Sequence, residues 1–588
     1  MYRVTAFFAI LLFYPLMQLG QRIPSENMPQ KFFNLDFSVH DFSRYDFYIT
    51  GIYLLVYSVF CLWVLFITLL ASRWILSISG QRVRPIFINI VVALILFLVL
   101  DVVNGVKFPN SQFKVLDLSF NEFWMKYIGA TLSLFLSFFI VLFSDSCRRH
   151  FALISLLLVP SVLLVVNFSL YKWSDGYTTK GVNNITYVLG VDSVRADAHS
   201  LLANNSTFLT SKHLSSYNNA WSPVGRTYAS WNVLTTGLAP ENNRVRFNLS
   251  SVEPKCTMFN IFEDHEWNII YGSDEKRFNH IGEKCSLENN LGSSTQALDF
   301  VAASPLLDMP YYNLLSEYDF VFKEILPFHI HNRANAVTYD PYQAAKYYAI
   351  KAKSKITAGD NLLVFHFTLP HMPWTHRWSH LSQASDNRKY EVMVEDAGRA
   401  LDIFTDVLSK IDSNSFEGVI WSDHGESFTQ HSSHGNDLFC CSNVGGHGTS
   451  AEILEQYNIF ISFSNLINDE LVYSDDSFIT SLDILPTLID WHFDKTIVSD
   501  GCNLLRLCRN SLARSLTLES GFTVKEMLKK TPDLSKIMEQ GIAAYTVKGG
   551  KVILRAEFEE ELIRTKGYKT VYGIMSVKNE KKSYRDIH

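Results

Sequence analysis

Five long apolar segments near the start of the chain are the strongest constraint on how these 588 residues can fold. A helix needs about 20 mostly apolar residues to cross a bilayer, and about 17 at the short end. Four of the segments lack charge over long runs, which is not typical of buried helices in a soluble core. We therefore predict a transmembrane region of about five helices over residues 1–172, roughly at Val4–Leu19, Ile49–Leu70, Ile86–Val106, Tyr127–Phe143 and Phe151–Tyr171.

Short basic loops predict the orientation of this region. Arginines cluster at 73–84 and at 148–149, and compact basic loops are typical of the cytoplasmic side of a membrane. The fifth helix then leaves the membrane outward, so everything after about residue 174 is predicted to lie outside the cytoplasm. The first segment is short enough to be a signal peptide, and its cleavage would not change this topology.

Cysteine usage agrees with export. Six of the eight cysteines lie in the predicted exported part, and an even number there is typical of disulfides. Proximity along the chain favours the pairs Cys256–Cys285 and Cys502–Cys508. The formal net charge of -6 gives no indication of a nucleic-acid partner.

After the apolar region, short β-branched runs alternate with helical stretches. This alternation predicts an α/β fold over residues 183–508, with a mostly parallel sheet and helices on both faces. Residues 509–588 are predicted to form a small C-terminal subdomain of the same unit. Helices are expected over 227–236, closed by Gly237, and over 390–411; strands are expected at 185–192, 267–274, 361–369, 416–423 and 457–464.

Chemically reactive side chains follow two of the predicted strands. Asp192 ends the first strand and Asp423-His424 end the fourth, where parallel sheets bind ligands. Thr227 lies in the first turn of a helix, beside Arg226 and free backbone N–H groups. Two carboxylates, an imidazole and a hydroxyl can bind one divalent cation, with zinc or manganese favoured over calcium or magnesium. Such a metal makes the hydroxyl a nucleophile for phosphoryl or sulfuryl transfer.

Ser230 is the main competitor of Thr227 as nucleophile. It lies three residues further along the same helix face. Its depth in the helix takes it away from the free N–H groups, so we expect it to bind the transferred group or brace the loop. Either residue on its own is an ordinary helix residue, and only the order of the motifs along the chain favours catalysis.

Five motifs together resemble the sulfatase-type branch of the alkaline phosphatase superfamily. They are YVLGVDSVRAD, LTTG, LPHMPW, SDHGE and GGHGTS, and the resemblance covers roughly 183–500. Counting back from LTTG places Thr227 on the nucleophile position, where sulfatases carry the cysteine or serine that becomes formylglycine. A threonine there, behind five membrane helices, is similar to membrane-anchored phosphoethanolamine transferases and to lipoteichoic acid synthase-like phosphoglycerol transferases.

The resemblance implies further site residues. His371 matches a histidine that helps to bind the transferred or leaving group, and His447 matches a substrate-binding histidine near the metal. One or two of the additional histidines His366, His376, His431 and His434 could hold a second metal, and the sequence does not choose among them.

The chain also departs from the family pattern. Those transferases use glutamate where this chain has Asp192, and the paired aspartates of sulfatases are reduced to one, followed by Ser193. Lys276 or Arg277 falls in the region of the sulfatase lysine. These differences concern which substrate the protein would use, and not the chemistry of the metal and the hydroxyl.

The resemblance implies a metal-dependent transferase of the bacterial inner membrane with a periplasmic catalytic domain. It would move a phospholipid-derived phospho-head group, phosphoethanolamine or phosphoglycerol, to an envelope glycan or lipid through a phosphothreonine intermediate. Two alternatives stay open: a sulfatase-like hydrolase or phosphodiesterase with water as acceptor, and a non-catalytic lipid-binding regulator of envelope assembly.

Overall fold

The computed structural model describes residues 104–105, 108, 110–111, 180–210, 214–245, 254–275, 281–292, 305–308, 313, 327–331, 333–379, 384–428, 447, 454–464, 467, 471, 478–506, 545–548 and 551–554. Within these ranges, no helix has both the length and the apolar character needed to cross a bilayer. Apart from 104–105, the five predicted membrane segments lie outside the described residues.

The chain divides into two compact units. The first contains Met1–Tyr177, Ser294–Gln343 and Thr375–Ser382, and the second contains Thr178–Ser293, Ala344–Trp374 and Gln383–His588. The domain boundaries predicted at 172, 183 and 508 remain predictions.

An eight-stranded sheet forms the centre of the second unit, in the order β4-β3-β5-β1-β6-β7-β2-β8. Its strands are β1 Val182–Val191, β2 Leu214–Trp221, β3 Asn268–Ser273, β4 Asn289–Asn290, β5 Gly359–Phe367, β6 Ser413–Ser422, β7 Asn458–Ser464 and β8 Ile479–Thr480. A separate antiparallel pair joins β9 Tyr545–Lys548 and β10 Lys551–Leu554.

Residues 281–284 are helical, and eight further α-helices have described limits. They are α1 His199–Asn204, α2 Thr207–Thr210, α3 Thr227–Thr236, α4 Pro240–Asn243, α5 Thr257–Asp264, α6 Pro341–Lys355, α7 Asp386–Leu408 and α8 Ile484–Phe493. Helix α7 packs against α1 and α2, whereas α3 packs against α5 and α8. Short 3₁₀ turns lie at Ala196–Ala198, Pro305–Asp308, Arg333–Thr338, Leu454–Gln456 and Ser481–Asp483.

Strand β1 lies in the middle of the sheet because its side chains can be buried on both faces. Its last seven residues are all buried, as expected of a strand covered by helices on both faces. It pairs in parallel with β5 on one side and β6 on the other. The register aligns Val191 with Phe367 and with Ser422, so three neighbouring strands end at the same level.

The predicted α/β class and all five predicted strands are confirmed, with ends shifted by a few residues. The expectation of a mostly parallel sheet holds with one exception, because β7 runs antiparallel to both β6 and β2. Strands β2, β4 and β8 were not predicted. Helix α3 has the expected end: Gly237 adopts φ +65° and donates its N–H to the carbonyl of Val233.

A disulfide joins Cys256 and Cys285, as proximity predicted, with 5.7 Å between their Cα atoms. It links the residue before α5 to the segment that precedes β4. Cys502 is also disulfide-bonded. Its predicted partner, Cys508, lies outside the described residues.

In the first unit, a short stretch at 104–111 contacts the segment at 375–379. The side-chain amide of Asn110 donates to the carbonyl of His376 (2.8 Å) and to the hydroxyl of Ser379 (2.6 Å). The buried guanidinium of Arg377 stacks on the rings of Phe108 (4.4 Å) and Phe328 (4.1 Å). Such cation–π contacts contribute most when they are shielded from water, so these segments hold each other in place.

His199 gives the fold a testable pH dependence. Burial lowers the pKa of this histidine to about 4. Because the unfolded chain takes up this proton near pH 6.5 and the folded chain does not, His199 lowers the free energy of unfolding as pH falls from about 6.5 to 4. The slope is about 1.4 kcal/mol per pH unit.

We expect His199→Gln to flatten this part of the stability profile, since glutamine does not titrate and can still bond the Ser216 hydroxyl, which lies 3.2 Å from Nε2. Thermal unfolding midpoints of both proteins between pH 4.5 and 7.5 measure the effect. Parallel profiles would show that His199 is not buried in its neutral form.

Candidate active site

Two buried carboxylates face each other where the central strands end. Asp192 follows β1 and Asp423 follows β6, and both side chains are fully buried. The Asp192 amide donates to the carbonyl of Phe367 in β5 (2.9 Å), which joins the ends of β1 and β5. The register of the sheet therefore brings together two acids that are far apart in sequence.

Ser193 links the two carboxylates. Its backbone N–H donates to Oδ1 of Asp423 (3.0 Å), and its hydroxyl donates to Oδ1 of Asp192 (2.5 Å). The residue adopts φ +61°, a left-handed conformation that is uncommon for a side chain larger than glycine. This conformation carries the chain out of β1 so that its N–H faces Asp423.

His424 presents a lone pair to both carboxylates. Its Nδ1 lies 2.9 Å from the carbonyl of Gly425, which can only accept, so Nδ1 carries the proton and Nε2 does not. Nε2 lies 3.3 Å from Oδ2 of Asp423 and 3.7 Å from Oδ1 of Asp192. Burial lowers the pKa of His424, which favours this neutral form.

Of the two candidate nucleophiles, Thr227 and Ser230, it is Thr227 whose hydroxyl lies next to the side chains of Asp192 and His424. Its Oγ1 lies 3.2 Å from Nε2 of His424 and 3.4 Å from Oδ2 of Asp192. It is the first residue of α3, and the extended backbone of Arg226 before it (φ -149°) marks the start of the helix. The structure thus brings all four predicted metal ligands together.

Ser230 has a different environment. Its hydroxyl donates to the backbone carbonyl of Asp423 (2.6 Å) and lies 2.9 Å from the hydroxyl of Ser222. Arg226 is buried beside Thr227 at the start of α3. The contact of Ser230 braces the loop after β6, which is one of the two roles expected from the sequence.

His366 extends the cluster on the side of β5. Its Nε2 lies 3.4 Å from Oδ2 of Asp192 and 3.9 Å from Oδ2 of Asp423. The three residues have ligand atoms within 4.8 Å of one another. A Cβ at Gly190 would lie 2.8 Å from Nδ1 of His366 and 2.6 Å from the Trp231 ring, so only glycine leaves room for this histidine.

A second group of potential ligands contains Asp192, His371 and His447, again within 4.8 Å. Nδ1 of His447 lies 3.3 Å from both carboxylate oxygens of Glu426. A carboxylate behind a histidine is the usual way to orient a metal-binding ring. Glu426, which follows the predicted Asp423-His424 pair within the SDHGE motif, was not assigned a role from the sequence.

Asp274 supports the loop that carries His371. It follows β3, the next strand beyond β5, and its Oδ1 accepts from the amide (2.8 Å) and hydroxyl (2.5 Å) of Thr368. Residues that follow β1, β3, β5 and β6 thus all contribute to the candidate active site. Of the remaining candidates, His376 belongs to the first unit, whereas Lys276, Arg277, His431 and His434 lie outside the described residues.

The pKa values of the two carboxylates shift in opposite directions. Burial and the negative charge of Asp192 raise the pKa of Asp423 to about 6. Burial alone would raise the pKa of Asp192, but His371 and the hydrogen bond from His366 lower it well below its usual value. Burial would lower the pKa of His366, but the bond to Asp192 and the charge of Asp423 raise it.

These residues fit a divalent cation. Oδ2 of Asp423 is fully buried and accepts no hydrogen bond from any described residue. A buried carboxylate oxygen without a donor is costly unless a cation neutralises it. The facing donors are carboxylate oxygens, imidazole nitrogens and one hydroxyl, a set that suits zinc or manganese.

No family model matches the chain, and no curated protein matches it significantly. Among solved structures, it is similar to the periplasmic domain of phosphoethanolamine transferase EptC from Campylobacter jejuni (14% identity, 56% of this chain and 94% of that chain, TM-score 0.33). It is also similar to a zinc complex of the EptC periplasmic domain from Escherichia coli (12% identity, 54% of this chain and 82% of that chain, TM-score 0.32). A third similar structure is the lipoteichoic acid synthase LtaP from Listeria monocytogenes (10% identity, 56% of this chain and 77% of that chain, TM-score 0.33).

These neighbours come from the families that the sequence motifs resemble. At such identities and TM-scores, the likeness carries no argument about activity.

We expect Asp423→Asn to raise the thermal midpoint of the metal-free protein by roughly 2–4 °C. The asparagine keeps an oxygen for the amides of Ser193 and His424 (3.0 and 2.9 Å) but removes the repulsion from Asp192. The same change should abolish the additional rise in midpoint on adding zinc or manganese. Differential scanning calorimetry measures both effects.

Asp406→Asn is the matched control, because Asp406 is 63% exposed on α7 and should change neither value. If Asp423→Asn destabilises the metal-free protein and retains the metal-induced rise, the carboxylate pair is not a cation site.

Proposed function

We propose that this protein is a membrane-anchored phosphotransferase that moves a phospho-head group from a phospholipid to an envelope acceptor through Thr227. The observation that carries this proposal is the position of Thr227 Oγ1, within 3.2–3.4 Å of His424 Nε2 and Asp192 Oδ2 at the start of a helix. A hydroxyl buried against a neutral imidazole and an ionised carboxylate is suited to act as a nucleophile.

Asp192, Thr227, Asp423 and His424 would hold one divalent cation, with His366 able to contribute from β5. His371 and His447, with Asp192, would hold a second. A bound divalent cation lowers the pKa of a hydroxyl next to it and offsets the negative charge of a phosphoryl group. Glu426 would keep His447 in the orientation that this requires.

The protein groups would then act in a fixed order. Thr227 gives up its proton to water, and its Oγ1 forms a bond to the phosphorus of the head group. The bond from phosphorus to the diacylglycerol oxygen breaks, and that oxygen takes up a proton from water. The oxygen of an acceptor hydroxyl next attacks the phosphorus of the phosphothreonine, the bond from phosphorus to Oγ1 breaks, and Oγ1 takes up the proton that the acceptor hydroxyl releases.

The start of α3 supports this chemistry on the phosphate side. The first N–H groups of a helix have no partner within the helix and carry partial positive charge. Together with Arg226 they would bind the non-bridging oxygens of the phosphoryl group, as helix N-termini do for many phosphates. His371, on the loop after β5, would contact the leaving or accepting oxygen.

A lipid donor fits the predicted anchoring, because a phospholipid head group lies at the bilayer surface next to the membrane helices. We propose the inner membrane of a bacterium, with the catalytic unit on the periplasmic side and an envelope glycan or lipid as acceptor. The contacts of Asn110 with His376 and Ser379 support this topology. Residues that hydrogen-bond directly must lie on one side of a membrane, and the predicted spans place 107–126 outside.

Water in place of the acceptor would make the same site a phosphodiesterase. The convergence of the Thr227 hydroxyl with two carboxylates and an imidazole argues against a non-catalytic lipid-binding regulator, which has no need of a buried nucleophile.

We expect Thr227→Ala to reduce turnover of a fluorescent phosphatidylethanolamine or phosphatidylglycerol by at least about 10³-fold, as for the loss of a catalytic nucleophile. Ser230→Ala should cost only about tenfold, because it removes one neutral hydrogen bond to the carbonyl of Asp423. Peptide mass spectrometry of protein quenched during turnover should find the phospho-adduct on Thr227.

Thr235→Val is the control, since its hydroxyl bonds the carbonyl of Trp231 at the far end of the same helix. This variant should retain activity within about twofold. An adduct on Ser230, or full activity in Thr227→Ala, would contradict the assignment of the nucleophile.

The topology makes a separate prediction. Asn110→Cys combined with Ser379→Cys should form a disulfide in intact cells, since these side chains touch and an exported segment meets an oxidising environment. Non-reducing electrophoresis of a protein with a cleavage site between the two positions shows the bond. Each single variant is a control, and failure to cross-link even with added oxidant would place the two segments apart.

A further inference from the structure

The turn after β1 contains the first metal carboxylate, and every backbone N–H in it has an identified partner. The amide of Asp192 bonds Phe367, and that of Ser193 bonds Asp423. The amide of Val194 donates to the hydroxyl of Ser422 (2.9 Å). The last amide of the turn, that of Arg195, donates to the phenol oxygen of Tyr390 (3.0 Å).

Tyr390 closes the turn from its other side as well. Its hydroxyl donates to the carbonyl of Ser193 (2.9 Å), so one oxygen both accepts from Arg195 and donates to Ser193. The tyrosine comes from α7, an element that supplies none of the proposed metal ligands. Its ring is 2% exposed and packs against Phe428, with 5.1 Å between ring centres, which leaves the hydroxyl little freedom to move.

We propose that Tyr390 is a positioning residue for the metal centre, acting through the left-handed turn at Ser193. This inference rests on the proposed metal site and adds a residue that neither the motifs nor the ligand groups include. Without the Tyr390 hydroxyl, the carbonyl of Ser193 and the amide of Arg195 would lose their shared partner inside the protein. The turn would then relax from φ +61° toward an ordinary conformation.

Relaxation of the turn would act on both carboxylates at once. The Ser193 amide bonds Oδ1 of Asp423, and the Ser193 hydroxyl bonds Oδ1 of Asp192. A change in the backbone at this residue moves both donors together. The consequence is a poorer arrangement of oxygens around the cation, rather than the loss of a ligand.

Tyr390→Phe tests this inference in the full-length protein, because it removes one oxygen and leaves the ring in its packing. We expect the dissociation constant for Co²⁺, measured by calorimetry on metal-free protein, to rise about 10-fold or more, the range typical of groups that orient metal ligands. The visible absorption of bound Co²⁺ should also change, since it reports the geometry of the ligands.

Tyr187→Phe is the matched control. Tyr187 is a buried tyrosine on β1, the strand that leads into the turn, and its ring packs against Phe208 and Phe416. The variant therefore loses a buried tyrosine hydroxyl close to the turn in sequence but leaves the hydrogen bonds of the turn intact. It should bind Co²⁺ with unchanged affinity and spectrum. If Tyr390→Phe does not fold, Ser422→Ala removes the bond that its hydroxyl accepts from Val194 in the turn, together with the bond it donates to the carbonyl of His424 (2.7 Å), and should weaken Co²⁺ binding in the same direction.

Three outcomes would overturn the inference. Wild-type affinity and spectrum in Tyr390→Phe would show that the hydroxyl does not position the site, while the metal centre itself would stand. Equal weakening by Tyr187→Phe would show a general effect of lost stability. Absence of Co²⁺ binding in the wild-type protein would remove the metal centre, and with it this role for Tyr390.

Discussion

The close approach of two buried carboxylates, Asp192 and Asp423, is the constraint on which the rest of the site depends. Two negative charges in the interior repel each other, and burial denies them water. The His366 imidazole beside both acids offsets part of this repulsion, and the backbone amides of Ser193 and His424 donate to Asp423. One oxygen of Asp423 still has no donor among the described residues, and the proposed divalent cation would satisfy it.

The sheet explains how such an arrangement can be built. Because β5, β1 and β6 are parallel neighbours that end at the same level, side chains just beyond them converge without any long loop. Thr227 reaches the same edge because β2 runs in the same direction as β6, with the antiparallel β7 between them. The helix that begins at Thr227 then adds a positive end beside the acids. The two carboxylates and the helix start that holds the proposed nucleophile and anion-binding amides thus come from separate elements that the sheet aligns.

Much of this was predictable from the sequence, because apolar runs that end in Asp or His mark strand ends directly. The convergence of Asp192, Thr227, Asp423 and His424 follows from that pattern and from the motif order. The roles of Ser193, Glu426 and Tyr390 could not be predicted, because they depend on a left-handed turn and on contacts between distant segments. The direction of β7 was equally hidden, since a fully buried seven-residue strand has the same apolar pattern whichever way it runs.

X-ray absorption spectroscopy of the full-length protein, purified without added metal, tests the central claim most directly. We expect a stoichiometric zinc or manganese edge and a first shell of oxygen and nitrogen at roughly 2.0–2.2 Å, with the outer-shell scattering of imidazole rings. The Asp423→Asn protein should lose the metal. A protein that carries no divalent metal, or one whose metal has sulfur in its first shell, would show that the two carboxylates do not form the proposed metal centre.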